Sequence, residues 1–577
     1  MIDYQKWIVE CDTITQQDEA AIKADIALFS RKPLLSVIMA TYETSEEYLV
    51  AAIQSVRGQM YENWELCIAD DASRAPHVAL ILRKFMAEDP RIRVVFRSER
   101  GHISAATNSA IGIAKGEWLV FMDHDDVIAR DALYELVAES IDYPNAQLIY
   151  TDEDKIDDTG HRYQPYFKPD FDPDLLLGQN MINHLTACRR DLMDLVGVIR
   201  EGFEGSQDHD FVLRATAICG ADAVRHIPRV LYHWRQVPDG ESFSQQARGR
   251  CVEAAQRAIA EHLELQGIKA EMHVVAGGHH RIVLPLPACE PLVSVIIPTR
   301  DRVDLLRVCM DGLLYQTQYP ALEILIADND SVDSATLDFL QEVQADPRVK
   351  ILKVSGPFNF SHIVNTAVAQ ARGDVLLLLN NDVEVIEGSW LREMVSHVVR
   401  PEIGAVGCRL LYPDGRLQHG GTALGAGGVA AHILHGTHRE DPGPFNILAL
   451  LHSVSAVTAA CLAIRKDIWK KIGGMDEINL TVAFNDVDLC LKVRELGLRI
   501  AVTPFAELYH HESASRGYET TPEKQARFQK EVDYMQCRWG DGLLKDIYYN
   551  PNFTLENANF TLAFPPRKER RYRRKSV

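Results

Sequence analysis

The chain of 577 residues has no CxxC pair; its eleven cysteines stand singly. That scatter excludes a disulfide frame and a thiolate zinc site, and fits reduced, mostly buried thiols. The opening residues, MIDYQKWIVECDTITQQDEA, lack a basic region followed by an apolar core, so no signal peptide is expected. Positive charge is short: 61 Lys and Arg face 81 Asp and Glu, for a net charge of −20. Binding a phosphate backbone needs basic surface, so nucleic acid is excluded as the main partner. An anionic substrate then needs local help from a metal, a helix N-terminus or placed Arg and Lys. Long apolar runs are scarce too. FNILALLHSVSAVTAACLAI, 445–464, has the length to span a bilayer, but it holds Asn446, His452, Ser453 and Ser455 and divides into a helical piece and a β-like run. No GxGxxG follows the first strand of either half, which counts against a nicotinamide or flavin enzyme.

What is present is a repeat. SVIMATYETSEEYLVAAIQSVRGQ begins at Ser36 and SVIIPTRDRVDLLRVCMDGLLYQT at Ser294. Each reads as a β-branched strand, a polar turn and a helix with apolar residues at helical spacing. A second strand follows in both, WELCIADDAS and LEILIADNDS, and from the first Ser to the Asp ending that strand is 34 residues twice (36 to 70, 294 to 328). Further on, TNSAIGIAKGEWLVFMDHDD and VNTAVAQARGDVLLLLNNDVE place Asn and the aligned Asp 17 residues apart twice (108 to 125, 365 to 382). Such matched spacing indicates a duplicated domain. Alternating strands and helices predict an α/β fold with two open, mostly parallel sheets. Ligands in such sheets bind beyond the carboxyl ends of strands, where both acidic clusters fall.

The expected organisation is a helical N-terminal segment at 1–34, a first domain at 35–275, a linker rich in Gly and Pro at 276–292, a second domain at 293–545 and a basic C-terminal tail at 546–577. Three carboxylates crowd FMDHDD, 121–126, directly after an apolar strand. Carboxylates so close repel one another and resist desolvation unless a cation relieves them.

Taken as an ordered set, the motifs of both halves resemble family 2 glycosyltransferases of the GT-A fold, arranged as two tandem domains like enzymes of bacterial O-antigen, capsule or related surface-polysaccharide biosynthesis. The resemblance implies a DxD-type metal site at Asp123 and Asp125, with Asp382 in the second copy, where Asn380 and Asn381 replace Asp123 and His124. Mg²⁺ or Mn²⁺ prefers such hard oxygen ligands together with substrate phosphates. It implies a nucleotide contact at Asp71, matched in the second copy by Asp328 or Asn329, with Thr41, Asp123 and Thr299 completing the nucleotide-sugar set. The family inverts at the sugar carbon and uses a carboxylate base on the acceptor hydroxyl. GSQDHDFVLRA gives Asp208 for that role and FNDVDLCLKV gives Asp486, with Asp210 and Asp488 as rivals. His233 and His510 are the implied further metal ligands, 25 and 24 residues past the bases, and His511 rivals His510.

The second copy is longer between acidic cluster and base, and the glycine-rich stretch 419–436 is expected as a mobile flap. GGMDE, 473–477, resembles an acceptor-side turn with Asp476 or Glu477 as ligand. Residues 567–575 hold seven Arg or Lys and one Glu, which suits peripheral contact with the inner membrane. The QxxRW motif of membrane-embedded relatives is absent; YMQCRWG is a near miss. The implied protein is a cytoplasmic or peripheral bifunctional transferase using UDP- or dTDP-linked donors and a glycan acceptor, lipid-linked or free. The alternatives are a chain with one catalytic domain and one acceptor-binding scaffold, a sugar nucleotidyltransferase, and a non-catalytic glycan-binding protein.

Overall fold

A computed structural model describes residues 3–236, 248–511 and 521–573. The expected duplication is visible strand by strand. The first sheet runs, edge to edge, Ile92–Phe96, Trp64–Asp70, Leu35–Thr41, Trp118–Phe121, Thr186–Arg189, Leu148–Ile156, Val224–Arg235 and Val127–Ile128. The second runs Val349–Lys353, Leu322–Asp328, Val293–Thr299, Val375–Leu379, Cys461–Arg465, Ile403–Leu411, Arg499–His510 and Val383–Val385. The first four strands of each are parallel, and the next, Thr186–Arg189 or Cys461–Arg465, is antiparallel to both neighbours. Helices cover both faces, so strands such as WELCIAD and LEILIAD are buried along their whole length and read as continuous apolar runs.

One buried network recurs in both halves. Ser36 Oγ donates to Glu65 and accepts from Gly116 N–H; Ser294 Oγ donates to Glu323 and accepts from Gly373 N–H. A Cβ on either glycine would lie under 3 Å from that serine, which is why the two turns AKGEW and ARGDV keep Gly.

The N-terminal segment is helical at Tyr4–Trp7 and Gln16–Leu28, the latter opened by a Thr15–Asp18 capping box. Part of the expected linker is structured: His280–Val283 pairs antiparallel with Glu271–Val274, and Arg281 reaches Glu393 on the second half's helix Trp390–Val398 at 3.0 Å. The run 445–464 forms short pieces, including the strands His452–Val454 and Cys461–Arg465. Among the described residues no helix is long and apolar enough to cross a membrane.

One expectation is reversed. The stretch 419–436 is no open flap: Thr422–Leu424 pairs with Ala430–His432, and Leu424, Ala426 and Val429 are buried. The basic tail, as far as residue 573, faces carboxylates of its own chain. Arg570 pairs with Asp12 and Asp131 at 3.0 Å each, Arg571 with Asp25 and Asp142, and Arg573 with Asp18 at 2.7 Å. Arg567 donates to the carbonyls of Phe553 and Tyr549. Residues 574–577, and 512–520 after His511, lie outside the described residues.

The halves share a core. Trp7, Phe167 and Val230 of the first pack in one buried cluster with Leu411, Leu417, Ile433, Tyr549 and Phe553. Asn550 and Asn552 donate to the buried Asp152.

Candidate active sites

Parallel strands deliver their C-terminal residues to one edge of the sheet, and the helix dipoles that follow make this edge the natural place for anions and their counter-ions. In the first half, Asp123, His124, Asp125 and Asp126 follow strand Trp118–Phe121 there. Asp123 and Asp125 each keep a side chain 44 % exposed. Desolvation, and then the charges of Asp125 and Asp208, push the Asp123 carboxyl up from its usual range, against the pull of His184 and His124. Asp126 is the buried member. It accepts from Tyr232 Oη–H and from Arg235 N–H at 2.6 Å, and burial raises its carboxyl well above the usual range.

The predicted metal residues are brought together only in part. Asp123, Asp126 and His184 offer ligand atoms within 4.8 Å of one another, with His184 Nε2 3.9 Å from Asp123 Oδ2. His184 was not foreseen. It sits just before strand Thr186–Arg189, antiparallel to the strand that carries Asp123, and its ring stacks on Tyr232 at 4.5 Å. His233 pairs beside Val127 and gives its Nδ1 to Asp154 at 2.6 Å. Desolvation opposes ionisation of Asp154, but His233, Arg162 and Tyr4 outweigh it and hold the carboxyl low. Neither Asp125 nor His233 joins the three-residue cluster.

In the second half Asp382 and His510 do meet, Oδ1 to Nε2 at 3.2 Å. His510 Nδ1 lies 3.0 Å from Gln418 Oε1, and Nε2 lies 3.2 Å from the Asn380 amide as well as from Asp382. A buried carboxylate beside an imidazole is a donor set that suits a divalent cation, as do the two carboxylates and imidazole of the first half. His511 turns away, to Glu384 at 3.0 Å.

The nucleotide-side residues align more sharply than the sequence allows. Backbone pairing puts Asp70 level with Asp328 and Asp71 with Asn329, since Asp71 N–H and Asn329 N–H bond the carbonyls of Thr41 and Thr299. Asp71 is 2 % exposed, accepts from Gly101 N–H at 2.8 Å and pairs with the Arg97 guanidinium at 2.9 Å. Asn329 spans the equivalent gap, donating to the carbonyls of Val354 and Gly356. Asp328 caps a turn through Ser331 N–H. Thr41 reaches His124 through Thr44, and Thr299 accepts directly from Asn381.

The two candidate bases occupy the same place. Asp208 and Asp486 are the second residues of helices Gln207–Cys219 and Asn485–Glu495, both half-buried. Asp208 accepts from Asn180 at 2.9 Å; Asp486 accepts from Ala459 N–H at 3.0 Å. Their rivals are occupied. Asp210 is held by Arg200 and Arg214, and Asp488 by Lys492, Arg538 and Trp539. Asp476 is a turn residue: it accepts from Ile478 and Asn479 N–H and from Tyr534, which hold its carboxyl at about 2 against desolvation.

Twin mixed sheets with carboxylates gathered past their carboxyl ends define a tandem GT-A fold. The sequence profile of glycosyl transferase family 2 matches residues 36–195 and 294–473, and the chain belongs to that family. It is 48% identical over 538 residues (92% of this chain, 59% of the relative) to y4gI of Sinorhizobium fredii, an uncharacterised protein. It is 38% identical over 570 residues (98% of this chain, 44% of the relative) to the O-antigen biosynthesis protein RfbC of Myxococcus xanthus. The chain thus spans about half the length of these curated relatives. Among solved structures, a mannosyltransferase from Pyrobaculum calidifontis in complex with GDP-Man and Mn²⁺ is 19% identical, with a TM-score of 0.32 over 44% of this chain and 67% of that one.

Proposed function

We propose that the chain is a bifunctional inverting glycosyltransferase, each half moving a sugar from a nucleotide-sugar donor, UDP- or dTDP-linked, onto a growing bacterial surface glycan. The observation that carries this reading is the repeated contrast on two helices. In each, one first-turn carboxylate (Asp208, Asp486) has no cationic partner among the described contacts, while the one two residues later is locked by cations. A sugar hydroxyl is a poor nucleophile, and a positioned carboxylate takes its proton as the new bond forms. Asp123 and His184 in the first half, and Asp382 and His510 in the second, would hold Mg²⁺ or Mn²⁺, which when bound supplies charge for the departing diphosphate. Asp71, with Asp328 or Asn329 in the second half, would contact the nucleotide, beside Thr41 and Thr299.

The test is a nucleotide-sugar panel read by mass spectrometry with wild type, Asp208→Asn and Asp486→Asn. Each variant is expected to lose one sugar addition; retention of both by both variants overturns the base assignment. A second reading, in which the second half only binds acceptor, is favoured by one observation. Pairing of Phe121 with Thr186 and of Leu378 with Leu462 puts Ala460 at the place of His184, and Asn380 stands for Asp123. Full activity of Asp382→Ala would select it.

A further inference from the structure

We infer that residues 172–184 form a strap through which the second half of the chain positions the first candidate site, with Asn180 as the positioning residue for Asp208. The inference rests on the proposed role of Asp208 for its catalytic arm only. Its start is anchored across the interface. Asp172, 1 % exposed, accepts from Ser453 N–H at 2.5 Å and from Ser453 Oγ–H at 3.0 Å. Asp174, 3 % exposed, is gripped by Arg499 at 2.5 Å and Arg400 at 2.7 Å. All three partners belong to the second half. Asp172 also caps the helix Pro173–Gly178 that leads on from this anchor.

The strap then runs to the site. Leu176 carbonyl faces His209 Nε2 at 2.7 Å, so the strap touches the first turn that bears Asp208. Gln179 donates to the carbonyl of Phe445, again in the second half, at 2.7 Å. Asn180 donates to Asp208 Oδ2 at 2.9 Å and receives Asn183 N–H on its own oxygen at 3.2 Å. Asn183 and His184 both bond Glu153, which fixes the approach of His184 to Asp123. An amide donor leaves the carboxylate charged and turns one oxygen away, so the other is free for an acceptor proton. A cation at that place would instead hold the charge back from the proton. The second half holds its own carboxylate differently, through Ala459 N–H of the same half. The first site thus leans on the second half through the strap, while Asp486 takes its contact from its own half.

Hydrogen–deuterium exchange of the full chain, without ligand, tests the transmission. In Arg499→Met the peptides covering 173–178, 180–185 and 207–212 are expected to exchange faster together, roughly 10-fold or more, while 322–328 is unchanged. Faster exchange confined to 173–178 overturns the inference. Should Arg499→Met unfold, Ser453→Ala, which removes one hydrogen bond to Asp172, serves the same comparison. For the catalytic arm, Asn180→Ala is expected to lower kcat of the first half's transfer roughly 10- to 100-fold with donor KM and melting temperature unchanged. Asp208→Asn is measured beside it. Inactive Asp208→Asn with fully active Asn180→Ala refutes the positioning role alone. Active Asp208→Asn refutes the base reading, and the strap is then judged by exchange.

Discussion

At the scale of single residues, the informative contrast is between carboxylates that look alike in sequence. Asp208 and Asp210 share one helical turn, yet only Asp210 is buried between Arg200 and Arg214. Asp210→Asn takes the carboxylate from Arg214 and leaves Arg200 with Glu261 alone, and is expected to cost about 2 kcal/mol or more. Asp208→Asn should stay within about 0.5 kcal/mol of wild type, so thermal unfolding of the two separates scaffold from chemistry. For the cation, His184→Ala and His510→Ala should each weaken Mn²⁺ binding at one site by at least ~10-fold, seen by electron paramagnetic resonance of a Mn²⁺ titration without donor. Unchanged binding in both would remove these imidazoles from the ligand sets. The sequence did not point to His184 because the clue in use was recurrence, and the second copy has Ala460 there. His184 and Asp123 meet only through an antiparallel pairing that spacing along the chain does not encode.

Among elements, the repeat itself was legible because strand and helix periods are set by burial, and burial is the same in both halves. The register at the acidic turn was not. Counting from Asn108 and Asn365 aligns Asp125 with Asp382. The short strands that follow instead pair Val127 with His233 and Val383 with His510, so Asp382 precedes its strand as Asp126 precedes the first. One extra residue in the first turn, invisible to hydrophobic pattern, moves the buried carboxylate from one count to the other. The helix Trp390–Val398 gives a pH test. Desolvation opposes the charge of Glu393, but His397, Arg281 and Thr503 prevail and hold its carboxyl at about 2, below the ordinary 4.5. Its contribution is therefore complete above about pH 4.5 and is lost as pH falls toward 2. Glu393→Gln should be less stable by about 3 kcal/mol at neutral pH, and the gap in melting temperature should close below pH ~4.5. A gap independent of pH would show that packing, not charge, is responsible.

For the whole molecule, the two ends of the chain matter more than a basic tail suggests from composition alone. A run of Arg and Lys reads as solvated or membrane-facing until the acidic residues 12, 18, 25, 131 and 142 are seen opposite it, and no local rule in the sequence couples segments so distant. Arg570 is 5 % exposed and bridges Asp12 and Asp131. Arg570→Met leaves the buried Asp131 without its ion-pair partner and Asp12 with Arg162 alone, at about 3 kcal/mol, and limited proteolysis should then cut first within residues 3–28. Cutting elsewhere first would show that the clasp is not what retains that segment. Trp7 donates to the carbonyl of Ala563, and Arg573 grips Asp18, so the N-terminal helices lie against residues 563–573. Residues 3–28 and 563–573 are thus fastened to one another, so a pull applied between residues 3 and 573 would load the arginine–aspartate pairs before either sheet.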